Sequence, residues 1–147
     1  MNIEQLRKEL EVDEGVKYEI YNDHLGYPTF GIGHLVRDND PENGEPVGTP
    51  VSEDRVIEAF DNDVQTVLAD CERLYNDFNV LPEECQLIIA NMMFNMGRPR
   101  LSKFKNMNKA LWNEDWKRAA VEGRDSRWYR QVTQRAERLM KRLENVA

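Results

Sequence analysis

Between Pro82 and Gly97 the chain carries a stretch that a surface helix cannot hold: Leu87-Ile88-Ile89-Ala90 is apolar nearly all round, and Met92, Met93, Phe94 and Met96 follow it. A helix without a polar face has to be enclosed by other elements. Proline suits a first helical turn and glycine a helix end. The segment therefore reads as the central helix of a helical core. Its surroundings supply partners. Ser52 can cap a long helix with Glu53 and Asp54 in its first turn and an apolar stripe of Val56, Phe60, Val64, Val67, Cys71 and Leu74. Downstream, helices are expected over roughly 101–112, 114–122 and 134–145, the last two capped by Asn113 and Thr133. Trp112 and Trp116 read as core residues of this helical part.

The first fifty residues follow another rule. Residues 2–14 suit an amphipathic helix capped by Asn2, with Ile3, Leu6 and Leu10 on one face and Gly15 at its end. Val16, Tyr18 and Ile20 then alternate with Lys17, Glu19 and Tyr21, which is a strand pattern. Asn22-Asp23-His24-Leu25-Gly26 is turn chemistry, and Tyr27 to Val36 suits one or two more strands bent at Gly31 and Gly33. Residues 37–50, with three prolines and two glycines, form a polar loop. The expected architecture is α+β: a sheet-containing lobe over 1–51, a linking helix over 52–76 and a helical lobe over 77–147.

The 147 residues allow one domain or two small lobes sharing a core. No apolar run approaches the ~20 residues that cross a bilayer, so stable membrane insertion is not expected. The start, Met1-Asn2-Ile3-Glu4-Gln5-Leu6-Arg7, lacks the pattern of a secretory signal. Cys71 and Cys85 read as buried free thiols, and the spacing of His24 and His34 matches no metal motif; neither metal nor cofactor is expected. The net charge of −7 is uneven, +8 over residues 98–147 and −15 before them. The acidic part would repel nucleic acid, so the basic third points to an anionic cell wall, or simply to solvated helix faces.

Glycoside hydrolysis needs two carboxyl groups in different protonation states across the scissile bond. Glu14 falls in the last turn of the first helix, where the dipole and its neighbours Glu11 and Asp13 disfavour its charge. Asp23 falls in an open turn, where water and backbone N–H groups can hold it ionised, and the Thr29 hydroxyl can hold a water nearby. With 27 acidic residues in the chain, spacing alone does not single out this pair.

Three blocks do. Asp13-Glu14-Gly15, Tyr21-Asn22-Asp23, Gly26-Tyr27 and Thr29-Phe30-Gly31-Ile32-Gly33-His34-Leu35 resemble the active-site hairpin of the T-even phage lysozymes, with that family's spacing of Glu, eight residues, Asp, five residues, Thr. Ala90-Asn91-Met92-Met93-Phe94-Asn95-Met96-Gly97 resembles the family's central helix, and Ser126-Arg127-Trp128-Tyr129 through Gln134-Arg135-Ala136 its carboxy-terminal signature. The resemblance covers residues 12 to 138.

It implies a lysozyme-like α+β fold and cleavage of β-1,4 bonds between N-acetylmuramic acid and N-acetylglucosamine, with inversion. Glu14 is then the general acid, and Asp23 with Thr29 the water-activating pair, with carboxyls on the order of 6.5–9.5 Å apart. By the same resemblance Arg135 modulates the acid and His34–Asp63 is a structural pair. Leu35, Phe94, Asn95, Arg127 and Trp128 then bind substrate, although Phe94 and Trp128 also suit a core. The 37–50 loop replaces a small helix of the best-known members, and Met107 and Glu122 stand where a serine and an asparagine would contact substrate.

The expected role is lysis of a bacterial host by a monomer made in the host cytoplasm and acting in the periplasm, reached through a holin-like permeabilising partner. A free endolysin is favoured over a tail-associated enzyme by the start at Met1 without a fused domain. The competing readings are a non-catalytic glycan-binding baseplate module and, last, a nucleic-acid-binding helical protein.

Overall fold

The computed structural model describes residues 1–147. In chain order it contains α1 (Ile3–Glu14), β1 (Lys17–Asn22), β2 (Pro28–Gly31), β3 (His34–Leu35), α2 (Glu53–Leu74), α3 (Glu83–Met96), α4 (Arg98–Leu101), α5 (Lys105–Trp112), α6 (Trp116–Arg124), α7 (Arg127–Gln131) and α8 (Thr133–Glu144). The fold is α+β, as expected. It divides into two compact units, residues 7–66 and residues 1–6 with 67–147, the division falling inside α1 and again inside α2.

In the first unit the strands form one antiparallel sheet of order β1-β2-β3. Lys17 faces Gly31 and Tyr21 faces Thr29, so β1 holds two residues more than β2 between these pairs, an irregularity in the register. The expected Val16–Tyr18–Ile20 stripe breaks there. Ile20 is buried, whereas Tyr18 is 52% exposed. Along β1 the end of the polar loop adds short strand-like pairing: Ile20 N donates to Thr49 O, Gly48 N to Ile20 O and Val51 N to Tyr18 O, each at 2.8–2.9 Å. Leu10, Phe30, Ile32, Val56, Phe60 and Val64 form the apolar interior of this unit. Ser52 caps α2 as its sequence suggests, its Oγ accepting from Arg55 N at 3.1 Å.

The second unit is helical and has α3 at its centre, with ten of its fourteen residues buried. Buried Gln86 is satisfied by donating from Nε2 to Leu81 O (2.8 Å) and Asn79 O (3.3 Å). α6 and α8 approach closely at Gly123, where a Cβ would overlap Met140 Sδ. Cys71 and Cys85 are buried free thiols.

Four local expectations need correction. The 101–112 helix is two helices, because Ser102–Lys103 turns between α4 and α5. Asp115, not Asn113, caps α6, its Oδ1 accepting from Arg118 N at 3.1 Å. Thr133 begins α8 from inside, and its hydroxyl donates to Tyr129 O (2.7 Å) at the end of α7 rather than capping. Trp112 is 65% exposed and not core, since it ends α5 with nothing packed over its ring, and Trp116 is only half-buried.

Candidate active site

Glu14 is the last residue of α1, as the helix pattern predicts, and Gly15 leaves the helix at φ +77° while its N–H donates to Glu11 O. The glutamate side chain lies over the turn joining β2 to β3. There Gly33 has φ +61°, and a Cβ on it would stand 3.0 Å from Glu14 Oε1. Only glycine meets both conditions.

Asp23 organises the turn after β1. Its Oδ1 accepts from Leu25 N and Tyr27 N, both at 2.9 Å, the Asx geometry that its residue type favours. Its backbone N–H also donates to Tyr27 O at 2.9 Å. With Oδ1 so occupied, Oδ2 is the oxygen left to accept a further hydrogen bond. Thr29 is 4% exposed, and its hydroxyl donates to Tyr27 O at 3.0 Å. Because the hydroxyl proton is committed there, the Oγ1 lone pairs can accept from a water.

Residues directly opposite on antiparallel strands project to the same face. Tyr21 pairs with Thr29 and Thr29 with Leu35, so these three form one row across the sheet. Leu35 is 49% exposed. The other face carries Phe30 opposite His34 and is turned to α2, whose Arg55 lies 5.5 Å from the Phe30 ring centre.

His34 and Asp63, paired in the resemblance, lie with Nδ1 2.7 Å from Asp63 Oδ2. A second carboxylate completes the arrangement, with Nε2 2.8 Å from Asp40 Oδ2. Ionised carboxylates only accept, so both ring nitrogens donate and the imidazole is held as a cation. Burial opposes that charge, but the hydrogen bonds to Asp63 and Asp40 overcome it and raise the His34 pKa above its usual value.

Around this core Arg55 donates from Nε and Nη2 to Glu42 (both 2.9 Å), from Nη1 to Glu58 (2.6 Å) and from Nη2 to Asp40 (3.1 Å). Arg37 donates to Asp63 at 3.1 Å. The 37–50 segment is thus clamped to α2. Asp40, Glu42 and Arg55 escaped the sequence reading because no local pattern pairs a loop carboxylate with an arginine thirteen or fifteen residues away.

In the helical unit, Trp128 is buried and its Nε1 donates to Asn95 Oδ1 at 2.8 Å, with Phe104 edge-on at 6.3 Å between ring centres. These two expected substrate residues are therefore neighbours. Arg135 donates from Nε to Asn91 Oδ1 at 2.9 Å. Phe94 is half-buried and Arg127 exposed. Met107 is buried, and Glu122 accepts from Arg118 one helical turn earlier. No grouping of three or more His, Cys, Asp or Glu side chains has the geometry to hold a metal ion.

The sequence pattern of the family described as Phage lysozyme matches residues 11–145. The probable T4-type lysozyme 2 of Dictyostelium discoideum is 31% identical to this chain, over 94% of it and 92% of its own length. The pre-baseplate central spike protein Gp5 of Enterobacteria phage T4 is 32% identical over 86% of the chain, but the match covers 25% of that protein. The peptidoglycan hydrolase gp36 of Pseudomonas phage phiKMV is 31% identical over 93% of the chain and 15% of its own length.

Proposed function

The chain belongs to the phage lysozyme family, and on that premise we propose that it cleaves peptidoglycan with Glu14 as general acid and Asp23 with Thr29 as the pair that activates water. It is a muramidase, a glycoside hydrolase acting on the β-1,4 bonds of the glycan strand. The observation that supports these roles is the hairpin itself. One strand pair and its turn hold an Asp23 with one bonded and one open oxygen beside a Thr29 whose proton is already committed.

In the reaction Glu14 gives its proton to the glycosidic oxygen as the bond from that oxygen to the anomeric carbon breaks. A water donates one hydrogen to Asp23 Oδ2 and the other to Thr29 Oγ1, which turns its lone pair toward the anomeric carbon. Asp23 takes the proton as the new C–O bond forms on the opposite face, so the configuration inverts. Exchange with solvent then returns a proton to Glu14 and removes one from Asp23. This requires room for the water, with the two carboxyls on the order of 6.5–9.5 Å apart. Leu35, on the same row of the sheet as Thr29, is exposed to border the glycan, and in the helical unit Asn95, its amide oriented by the buried Trp128 indole, is the side chain offered for sugar contact.

The biological setting follows from the substrate. We propose that it acts as a monomer on the wall in the periplasm, reached through a holin-like permeabilising partner; no helix is long and apolar enough to cross a membrane.

The test is clearing of outer-membrane-permeabilised Gram-negative cells by the wild type, Glu14→Gln and Asp23→Asn. Each variant is expected to lose about a hundredfold or more, while Asn at 23 can still accept the two turn N–H groups and keep the hairpin. Equal clearing by Glu14→Gln sinks its role as the acid. A wild type that binds glycan without clearing cells favours a binding module of the baseplate kind.

A further inference from the structure

The turn that holds Asp23 does so through the backbone of its residues and leaves their side chains unused. We propose that the Tyr27 ring is a stacking platform for the glycan, binding the sugar whose anomeric carbon the water attacks. The inference rests on the reading of Asp23 and Thr29 as the pair that activates this water.

Three observations carry it. First, Tyr27 bonds both members of the pair through its main chain. Its N–H donates to Asp23 Oδ1 at 2.9 Å, and its carbonyl accepts from Asp23 N at 2.9 Å and from the Thr29 hydroxyl at 3.0 Å. Second, β1 and β2 pair Asn22 with Pro28, and the bond from Asp23 N to Tyr27 O continues that register by one step. Tyr27 directly precedes β2, two residues from Thr29, and side chains two apart on an extended chain leave by the same face. The ring therefore stands on the face that carries Thr29 and Leu35. Third, Tyr27 is 54% exposed, and its hydroxyl has no partner within the protein.

The chemistry of the turn explains why that exposure points to a ligand. Any residue but proline supplies an N–H and a carbonyl, so the hairpin asks nothing of the side chain at 27. Small and polar residues are the usual choice in such a turn. Yet Leu25, the other donor to Asp23 Oδ1, is also apolar and is 68% exposed. Leu35, paired with Thr29, is a third exposed apolar side chain. Of the three only Tyr27 has a flat ring and a hydroxyl. A pyranose presents a face of C–H groups that packs on an aromatic ring, and a rim of hydroxyls that takes hydrogen bonds. Tyr27 matches both, ring to face and phenol to rim. Because its backbone is bonded to Asp23 and Thr29, a sugar stacked on it is held in register with the water they activate.

The experiment measures kcat and KM on soluble, uncrosslinked peptidoglycan strands for the wild type, Tyr27→Phe and Tyr27→Leu. Calorimetry in a Glu14→Gln background gives Kd for the same strands without turnover. Leucine keeps the apolar bulk and the backbone bonds but removes the flat ring. Tyr27→Leu is expected to raise KM and Kd about tenfold, with kcat within about threefold of the wild type. Tyr27→Phe keeps the ring and is expected to lose about threefold in affinity, the share of one hydrogen bond. A Tyr27→Leu enzyme with wild-type KM and Kd overturns the proposal. So does a loss confined to kcat, which would make the ring a support of the hairpin. If Tyr27→Leu does not fold, Tyr27→Ser decides by the same criterion. Asp23→Asn, measured in parallel, separates two failures: full activity there removes the base assignment, whereas an inactive Asp23→Asn beside unaltered affinity in Tyr27→Leu removes only the role of Tyr27.

Discussion

Gly33 and Glu14 are fitted to one another: the turn at Gly33 runs so close beneath the glutamate that a Cβ would stand 3.0 Å from Oε1 and 3.4 Å from both Cβ and Cδ of Glu14. The helix end that carries Glu14, the proposed acid, and the β2–β3 turn beside it are therefore one piece of geometry. Gly33 also adopts φ +61°, which costs an L-residue roughly 1–2 kcal/mol.

Gly33→Ala is accordingly expected to do two things that differ in size. Thermal unfolding should move down by a few degrees, consistent with about 1–2 kcal/mol of backbone strain. Turnover should fall at least tenfold, because the flexible end of Glu14 gives way and leaves its working position. Calorimetry and initial rates on soluble peptidoglycan measure the two. Wild-type turnover in a merely destabilised protein would show that the turn does not place the acid.

The His34 cluster makes stability depend on pH from both sides. His34 is raised above its ordinary value of 6.5, with hydrogen bonds to Asp63 and Asp40 outweighing burial. Its contribution is complete below 6.5 and is lost as pH rises through the raised value. Asp40 is lowered from 3.8, its hydrogen bonds to Arg37 N and His34 overcoming burial, and Glu42 is lowered from 4.5, chiefly by Arg55. Their contributions are complete above those ordinary values and are lost as pH falls through the lowered ones. Denaturant unfolding across pH is expected to show a plateau from about 4.5 to 6.5, with decline on either side. His34→Asn should abolish this alkaline decline and leave the acidic one. An unchanged alkaline limb in that variant would assign the decline to another group.

Cys71 and Cys85 are fully buried, and burial pushes each thiol up to about 12. Neither forms thiolate at neutral pH, and neither is accessible. A chromogenic disulfide reagent at about pH 8 is expected to leave the folded protein unmodified and to release two equivalents once it is unfolded. Rapid reaction of either thiol in the native state would contradict the packing around α2 or α3.

What the sequence determined by itself was local. The Leu87–Ala90 run required a buried central helix, Gly15 ended α1 just after Glu14, and Asp23 made the turn that its side chain favours. Each depends on neighbours within about four residues, where spacing alone decides which groups meet. The three ordered blocks extended that local chemistry to a family and a candidate catalytic set.

The tertiary structure decided which distant groups became partners. No local pattern joins Asp40 or Arg55 to His34; the folding of the 37–50 segment onto α2 brings them together. Tyr18 turned outward because β1 carries extra residues against β2, and no alternation pattern reveals a partner strand's register. Trp112 is exposed because nothing covers the end of α5, and an aromatic side chain cannot specify its own cover. The fit of Gly33 beneath Glu14 belongs with these: a glycine and a helix end are visible in the chain, but only the fold brings them within van der Waals contact.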